Sequence, residues 1–104
     1  IMAEAQQDYD EMIFIYTGGD QEVPRNVRRV RIDKSIKIIP RRAFDGLDNL
    51  IDVEFHDGIE IIEAEAFDGC SSLRSAKLLG VKLVKARAFR RCRGLIEVEF
   101  GVEL

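Results

Sequence analysis

Four groups of residues in this sequence are of types that do chemistry. Cys70 and Cys92 are its two cysteines, and His56 is its single histidine, followed by Asp57. Thr17-Gly18-Gly19-Asp20 is a glycine pair beside an acid, and Arg87, Arg90, Arg91 and Arg93 form a basic cluster. Two thiols could form a disulfide or begin a metal site. A zinc site needs about four ligands, and no histidine or further cysteine stands near the pair. Acid–base work by His56 requires a partner and a pocket. Asp57 precedes Gly58 and reads as a turn residue instead. The "TGGD" stretch lacks both the Lys-Ser/Thr of a phosphate loop and the G-x-G-x-x-G frame, so it reads as a turn. The arginines could meet phosphate or an acidic protein, but such a run usually forms a solvated outer face. No catalytic residue, cofactor site or metal ligand is expected, and the chain reads as non-enzymatic.

The elements around these residues repeat. "RRAFDGLDNL" (41–50) returns as "AEAFDGCSSL" (64–73) and as "ARAFRRCRGL" (86–95). The Ala-Phe pairs Ala43-Phe44, Ala66-Phe67 and Ala88-Phe89 are spaced 23 and then 22 residues apart. A period in this range marks a stacked solenoid. An apolar pair precedes each copy: Ile36 and Ile39, Ile59 and Ile62, Val81 and Val84. An alternating run follows in strand fashion: Val30-Arg31-Ile32, Val53-Glu54-Phe55, Ala76-Lys77-Leu78, Val98-Glu99-Phe100. The Ala-Phe-x-x-Cys-x-x-Leu spacing predicts a short helical segment with Phe67, Cys70 and Leu73 on one side. The residue lost from the third unit falls at "LLGV", where Gly80 is expected to let the turn tighten. Leu47, Cys70 and Cys92 share a column, which makes the cysteines buried small hydrophobes.

These units, "IKIIPRRAFDGLDNLIDVEF" and "IEIIEAEAFDGCSSLRSAKL", resemble the BspA-like class of leucine-rich repeats over roughly Val27 to Phe100. The resemblance implies an α/β leucine-rich repeat solenoid, with a parallel β-sheet of short strands and short helical turns behind. It implies adhesion or protein binding, the roles assigned in a family common in bacterial surface proteins and protists. It brings no catalytic residues. Leu47 departs from the family's usual cysteine.

The predicted organisation is a polar tail plus a helix-less capping unit over 1–29. Repeats follow at 30–52, 53–75 and 76–97, with a partial unit at 98–104. In the capping unit Val23-Pro24 echoes Ile39-Pro40, but Val23 to Val27 spans four positions where Ile39 to Leu50 spans eleven. The first twelve residues are polar and acidic, without the basic and apolar regions of a signal peptide; they read as a frayed or loosely helical tail. No apolar run approaches the ~18 residues of a membrane span, and the cellular compartment is left open. The partial last unit suggests a fragment of a longer array, with end-to-end self-association at an open C-terminal repeat.

The variable positions alternate in sign. Outward strand columns run Arg31, Glu54, Lys77, Glu99 and Arg29, Asp52, Ser75, Glu97; other columns run Lys37, Glu60, Lys82 and Arg42, Glu65, Arg87. Stacked strands lie ~4.8 Å apart, so each charge is expected to meet an opposite one. The second unit carries six acids and one base, and the third carries seven bases and one acid. Opposite rungs favour the correct neighbour over a wrong one. The net charge of −3 offers nucleic acid no general attraction. Two functions compete. One is protein binding or scaffolding through a strand face made of Arg29, Arg31, Asp52, Glu54, Lys77, Glu97 and Glu99. The other is polyanion or nucleic-acid binding through the basic third repeat.

Overall fold

The computed structural model describes residues 12–101. The reading of the first residues as a frayed or loosely helical tail falls outside them, as does most of the stretch after Phe100. Eight strands are described: β1 Phe14–Tyr16, β2 Arg29–Ile32, β3 Ile38–Ile39, β4 Asp52–Glu54, β5 Ile61–Ile62, β6 Ser75–Leu78, β7 Leu83–Val84 and β8 Glu97–Phe100. They pair in parallel, and the register follows the repeat. Val30 lies beside Val53, Ile39 beside Ile62, and Ala76 beside Val98. The long strands run β1-β2-β4 and β6-β8, and the short strands run β3-β5-β7. Alternation decides the faces. Val30, Ile32, Val53, Ala76 and Leu78 are buried, whereas Arg31, Glu54 and Lys77 are exposed. No hydrogen-bonded ladder joins β4 to β6.

The third side of each coil differs from the sequence expectation. Among the described residues no helix forms. Residues 40–50, 63–73 and 85–95 are chains of tight turns. Three-residue closures repeat along each, as in Ala66 N to Glu63 O, Cys70 N to Phe67 O and Leu73 N to Cys70 O, each 3.2 Å. A helix cannot continue here because the backbone turns left-handed twice per coil. Arg42, Glu65 and Arg87 have φ of 59°, 62° and 62°. Gly46, Gly69 and Arg91 have 74°, 81° and 61°. L-residues avoid this region at some energetic cost, and glycine serves at two of the six positions. The left-handed steps send N–H groups along the stack. Phe44 N donates to Ala66 O (2.8 Å) and Gly46 N to Asp68 O (2.7 Å). Glu65, Phe67 and Gly69 repeat this toward Ala86, Ala88 and Arg90. Each turn chain is thus a ladder rung rather than a helix.

The core nonetheless falls where the spacing puts it. Phe67, Cys70 and Leu73 are fully buried, with Phe44, Leu47 and Leu50 above them. Phenylalanine stacks on phenylalanine at the rung spacing: Phe44 to Phe67 at 5.0 Å and Phe67 to Phe89 at 5.1 Å between ring centroids. Tyr16 closes the column edge-on against Phe44 at 4.9 Å.

Gly80 has a different reason from the one its sequence suggests. Its φ is not left-handed. A Cβ there would overlap the Asp57 carbonyl oxygen of the coil above. The same close approach recurs one coil on, where a Cβ at Gly101 would overlap the Leu79 carbonyl oxygen.

Candidate interaction surfaces

The outer face of the long strands carries the charged residues that the sequence singled out. Arg31, Glu54, Lys77, Glu97 and Glu99 are exposed, and Arg29 and Asp52 are partly so. Arg29 and Asp52 are register partners, as are Arg31 and Glu54, Ser75 and Glu97, and Lys77 and Glu99. The Arg31 Nε to Glu54 Oε1 distance is 2.9 Å, and both side chains stay about half exposed. That carboxylate raises the Arg31 pKa through the hydrogen bond first and its charge second. Among the described residues Arg31 and Glu54 close to an ion pair, but none is found for Lys77 with Glu54 or with its register partner Glu99, so the expectation that every outward charge meets an opposite one holds only in part.

The strongest charge contacts lie on the turn side instead. Glu65 and Asp68 of the second coil are 8% and 3% exposed, in the company of the core. Arg42 Nε reaches Glu65 Oε1 at 3.1 Å, and Arg41 reaches the same oxygen at 3.3 Å from the coil above. Arg90 meets Asp68 Oδ2 at 2.7 Å and Arg91 meets Oδ1 at 3.2 Å from the coil below. Hydrogen bonds from Arg90, then Arg91, hold the Asp68 pKa far below the usual carboxylate range. Arg42, with Arg41, lowers that of Glu65. The predicted partner of Glu65 in the third coil is Arg87, but the residue in reach is Arg90, at 3.9 Å. The two acids of the second coil are therefore clamped between arginines of the coils above and below. Buried charges are tolerated when they are paired and hydrogen-bonded in this way. Sequence reasoning saw the alternation and missed the burial. The signal was available in the adjacent arginine pairs Arg41-Arg42 and Arg90-Arg91.

The thiols also take part in stacking. Cys70 Sγ donates to Phe44 O, and Cys92 Sγ donates to Phe67 O, each at 3.1 Å. Each thiol thus caps the phenylalanine carbonyl of the coil above. Above Leu47 the chain runs from Val23 to Val27 without such a turn chain, so a thiol there would have no phenylalanine carbonyl to cap. The neighbouring Cys92 thiol, together with burial, pushes the Cys70 pKa up, while the neighbouring Cys70 draws that of Cys92 down. Both thiols are free and buried.

His56 is engaged on both ring nitrogens. Nδ1 accepts from Gly58 N at 3.0 Å, and Nε2 lies 3.0 Å from Asp33 O. The first contact makes Nδ1 the acceptor, so Nε2 carries the proton and donates to Asp33 O. The ring pins one turn to the turn above, with no nitrogen left for substrate. Gly18 and Gly19 form a turn with left-handed φ, as their sequence suggests. Among the described residues no group of three His, Cys, Asp or Glu could hold a metal ion. No helix there is long and apolar enough to cross a membrane.

One surface feature escaped the sequence reading. Ile38, Ile61 and Leu83 are register partners on the short strands and point outward. Ile38 and Leu83 are 46% and 47% exposed. They sit between the inward apolar residues of each unit, and this apolar column was legible in the sequence as a third aligned position.

Residues 24–104 match a family model described as a BspA type leucine rich repeat region, with six copies. The comparison with curated proteins found no match, and neither did the comparison with solved structures. The matched stretch takes in most of the chain. This chain belongs to the BspA-type leucine-rich repeat family.

Proposed function

We propose that this chain is a non-enzymatic repeat module that binds or scaffolds a partner protein. Its contact surface is the outer long-strand face of Arg29, Arg31, Asp52, Glu54, Lys77, Glu97 and Glu99. The observation that carries this reading is the openness of that face: Arg31 and Glu54 satisfy each other while both remain about half exposed to meet a partner. Extended strand faces of solenoids suit protein contacts. Polyanion binding through the third coil is weakened as a reading, because Arg90 and Arg91 already serve Asp68. The test immobilises the chain and measures retention of a protein partner after nuclease treatment. Arg31→Glu and Lys77→Glu should weaken retention, and Arg87→Gln should not. A steep salt dependence that vanishes with the third-coil arginines would identify polyanion binding and overturn the reading.

The same reading includes end-to-end association at the third coil. Leu83, Val84, Val98 and Phe100 are 47%, 38%, 40% and 51% exposed there. Sedimentation equilibrium at rising concentration should show a mass increase. A constant monomer mass counts against it.

A further inference from the structure

The turn chain missing from the capping unit leaves a cleft of about 690 Å³. Tyr16, Val23, Arg25, Arg41, Arg42 and Ala43 border it. Elsewhere in the stack this place is filled by the turn chain of the coil above, which feeds N–H groups downward. Phe44 and Phe67 donate to Ala66 O and Ala88 O, and Gly46 and Gly69 donate to Asp68 O and Arg90 O. At the first coil the equivalent acceptors are Ala43 O and Asp45 O. Arg25 covers the second of these: Nη1 lies 3.2 Å from Asp45 O and Nη2 lies 3.2 Å from Gly46 O. No donor to Ala43 O is found among the described residues. A side chain is standing in for a strand of backbone.

The cleft also carries a sign. Arg41 and Arg42 share a single Glu65 oxygen, and their side chains stay 67% and 57% exposed. Every other coil junction on this side sets acid against arginine, so the position above Arg42 calls for an acid. The second coil shows what fits. It lies above the third coil, gives N–H groups of Phe67 and Gly69 to it, and places Asp68 between Arg90 and Arg91.

We propose that this cleft binds a short acidic peptide segment of a partner protein, laid along the first coil where the absent turn chain would run. Its main-chain N–H groups donate to Ala43 O and Asp45 O, and a carboxylate meets Arg41 and Arg42. Arg25 holds the place when the cleft is empty and withdraws from Asp45 O when the peptide enters. The proposal deepens the protein-binding reading and rests on it, at a surface separate from the strand face.

The test uses the full chain and a fluorescent peptide, Glu-Ala-Glu-Ala-Phe-Asp-Gly-Ser, which copies the second coil's own turn chain with serine for cysteine. Anisotropy should show saturable binding. Affinity should fall about tenfold or more in Arg41→Gln, and equally when the peptide's acids are replaced by their amides. Arg25→Ala, which frees Asp45 O, should tighten binding. Glu54→Lys on the strand face should leave it unchanged, so failure here is separable from failure of the strand-face reading. Arg41 is largely exposed, and an unaltered unfolding midpoint confirms that its variant is folded. No saturation up to about 1 mM peptide overturns the proposal. So does binding that shifts amide resonances of Arg87 to Arg93 and not those of Ala43 to Leu47.

Discussion

Replacing Phe67 by leucine tests whether the stacked rings hold the coils together or merely fill space. Leucine keeps an apolar, branched side chain in a fully buried site, so the transfer of apolar surface is largely retained. The ring contacts are lost. Phe67 has three aromatic neighbours among the described residues: Phe44 at 5.0 Å and 9°, Phe89 at 5.1 Å and 2°, and Phe55 at 5.7 Å and 65°. Aromatic pairs contribute about 0.5–1.5 kcal/mol each beyond area burial, so three together are worth about 1.5–4.5 kcal/mol. Phe89 has one such neighbour and is only partly buried, and Phe89→Leu should cost about 0.5–1.5 kcal/mol. The chain has no tryptophan, so urea unfolding is best followed by far-ultraviolet circular dichroism, with the slope m checked for constancy. Equal losses at the two positions would refute the stacking argument. A loss at Phe67 below about 0.5 kcal/mol would do the same.

The carboxylate clamp makes stability depend on acid. Asp68 and Glu65 have depressed folded pKa values, so as pH falls the unfolded chain takes up protons first. Their stabilisation is whole above the ordinary carboxylate range near ~4 and shrinks as pH drops through it toward the folded values. Urea midpoints taken from neutral to acid pH should show this, and Asp68→Asn should flatten the profile; an equally steep acid loss in the variant would clear the clamp of responsibility. Cys70 and Cys92 should label slowly in the native chain, Cys92 before Cys70, and rapidly in denaturant. Fast native labelling of both is the contrary result. Gly80→Ala should cost on the order of 2–4 kcal/mol or prevent folding, since its Cβ has no room against the Asp57 carbonyl. A variant with an unchanged thermal midpoint would show that the two coils part easily there.

The parts of this fold that depend on side-chain periodicity were legible in the sequence. Val30, Val53 and Ala76 fall on inward strand positions, and Phe44, Phe67 and Phe89 fall in one column, because burial imposes the same residue type at the same step. The parts that depend on backbone conformation were not. Gly46 and Gly69 hint at left-handed steps, but arginine or glutamate at 42, 65, 87 and 91 carries no such hint. The apolar spacing of three that suggested a helix is equally the spacing of successive tight turns. Burial of Glu65 and Asp68 was hidden for a related reason. Acids read as surface residues until the arginines that neutralise them are placed in adjacent coils. The charged strand face was visible as a pattern, whereas its interruption beside Lys77 arises from pairing geometry that no single column encodes.

The missing ladder between β4 and β6 has a mechanical consequence. The first and second coils are joined on three sides, by β2-β4, β3-β5 and the turn chains. The second and third coils are joined by β5-β7 and the turn chains, with the long-strand side lacking its bonds. A tension drawn along the stack therefore finds a hinge, its spine at the arginine–aspartate contacts and its free edge at the charged strand face. The solenoid should yield there first, opening like a book rather than shearing as a block. A coil of 22 residues that peels away fully would add about 75 Å of slack to the tether. The second junction is therefore where this stack would lengthen under load before its core gives way.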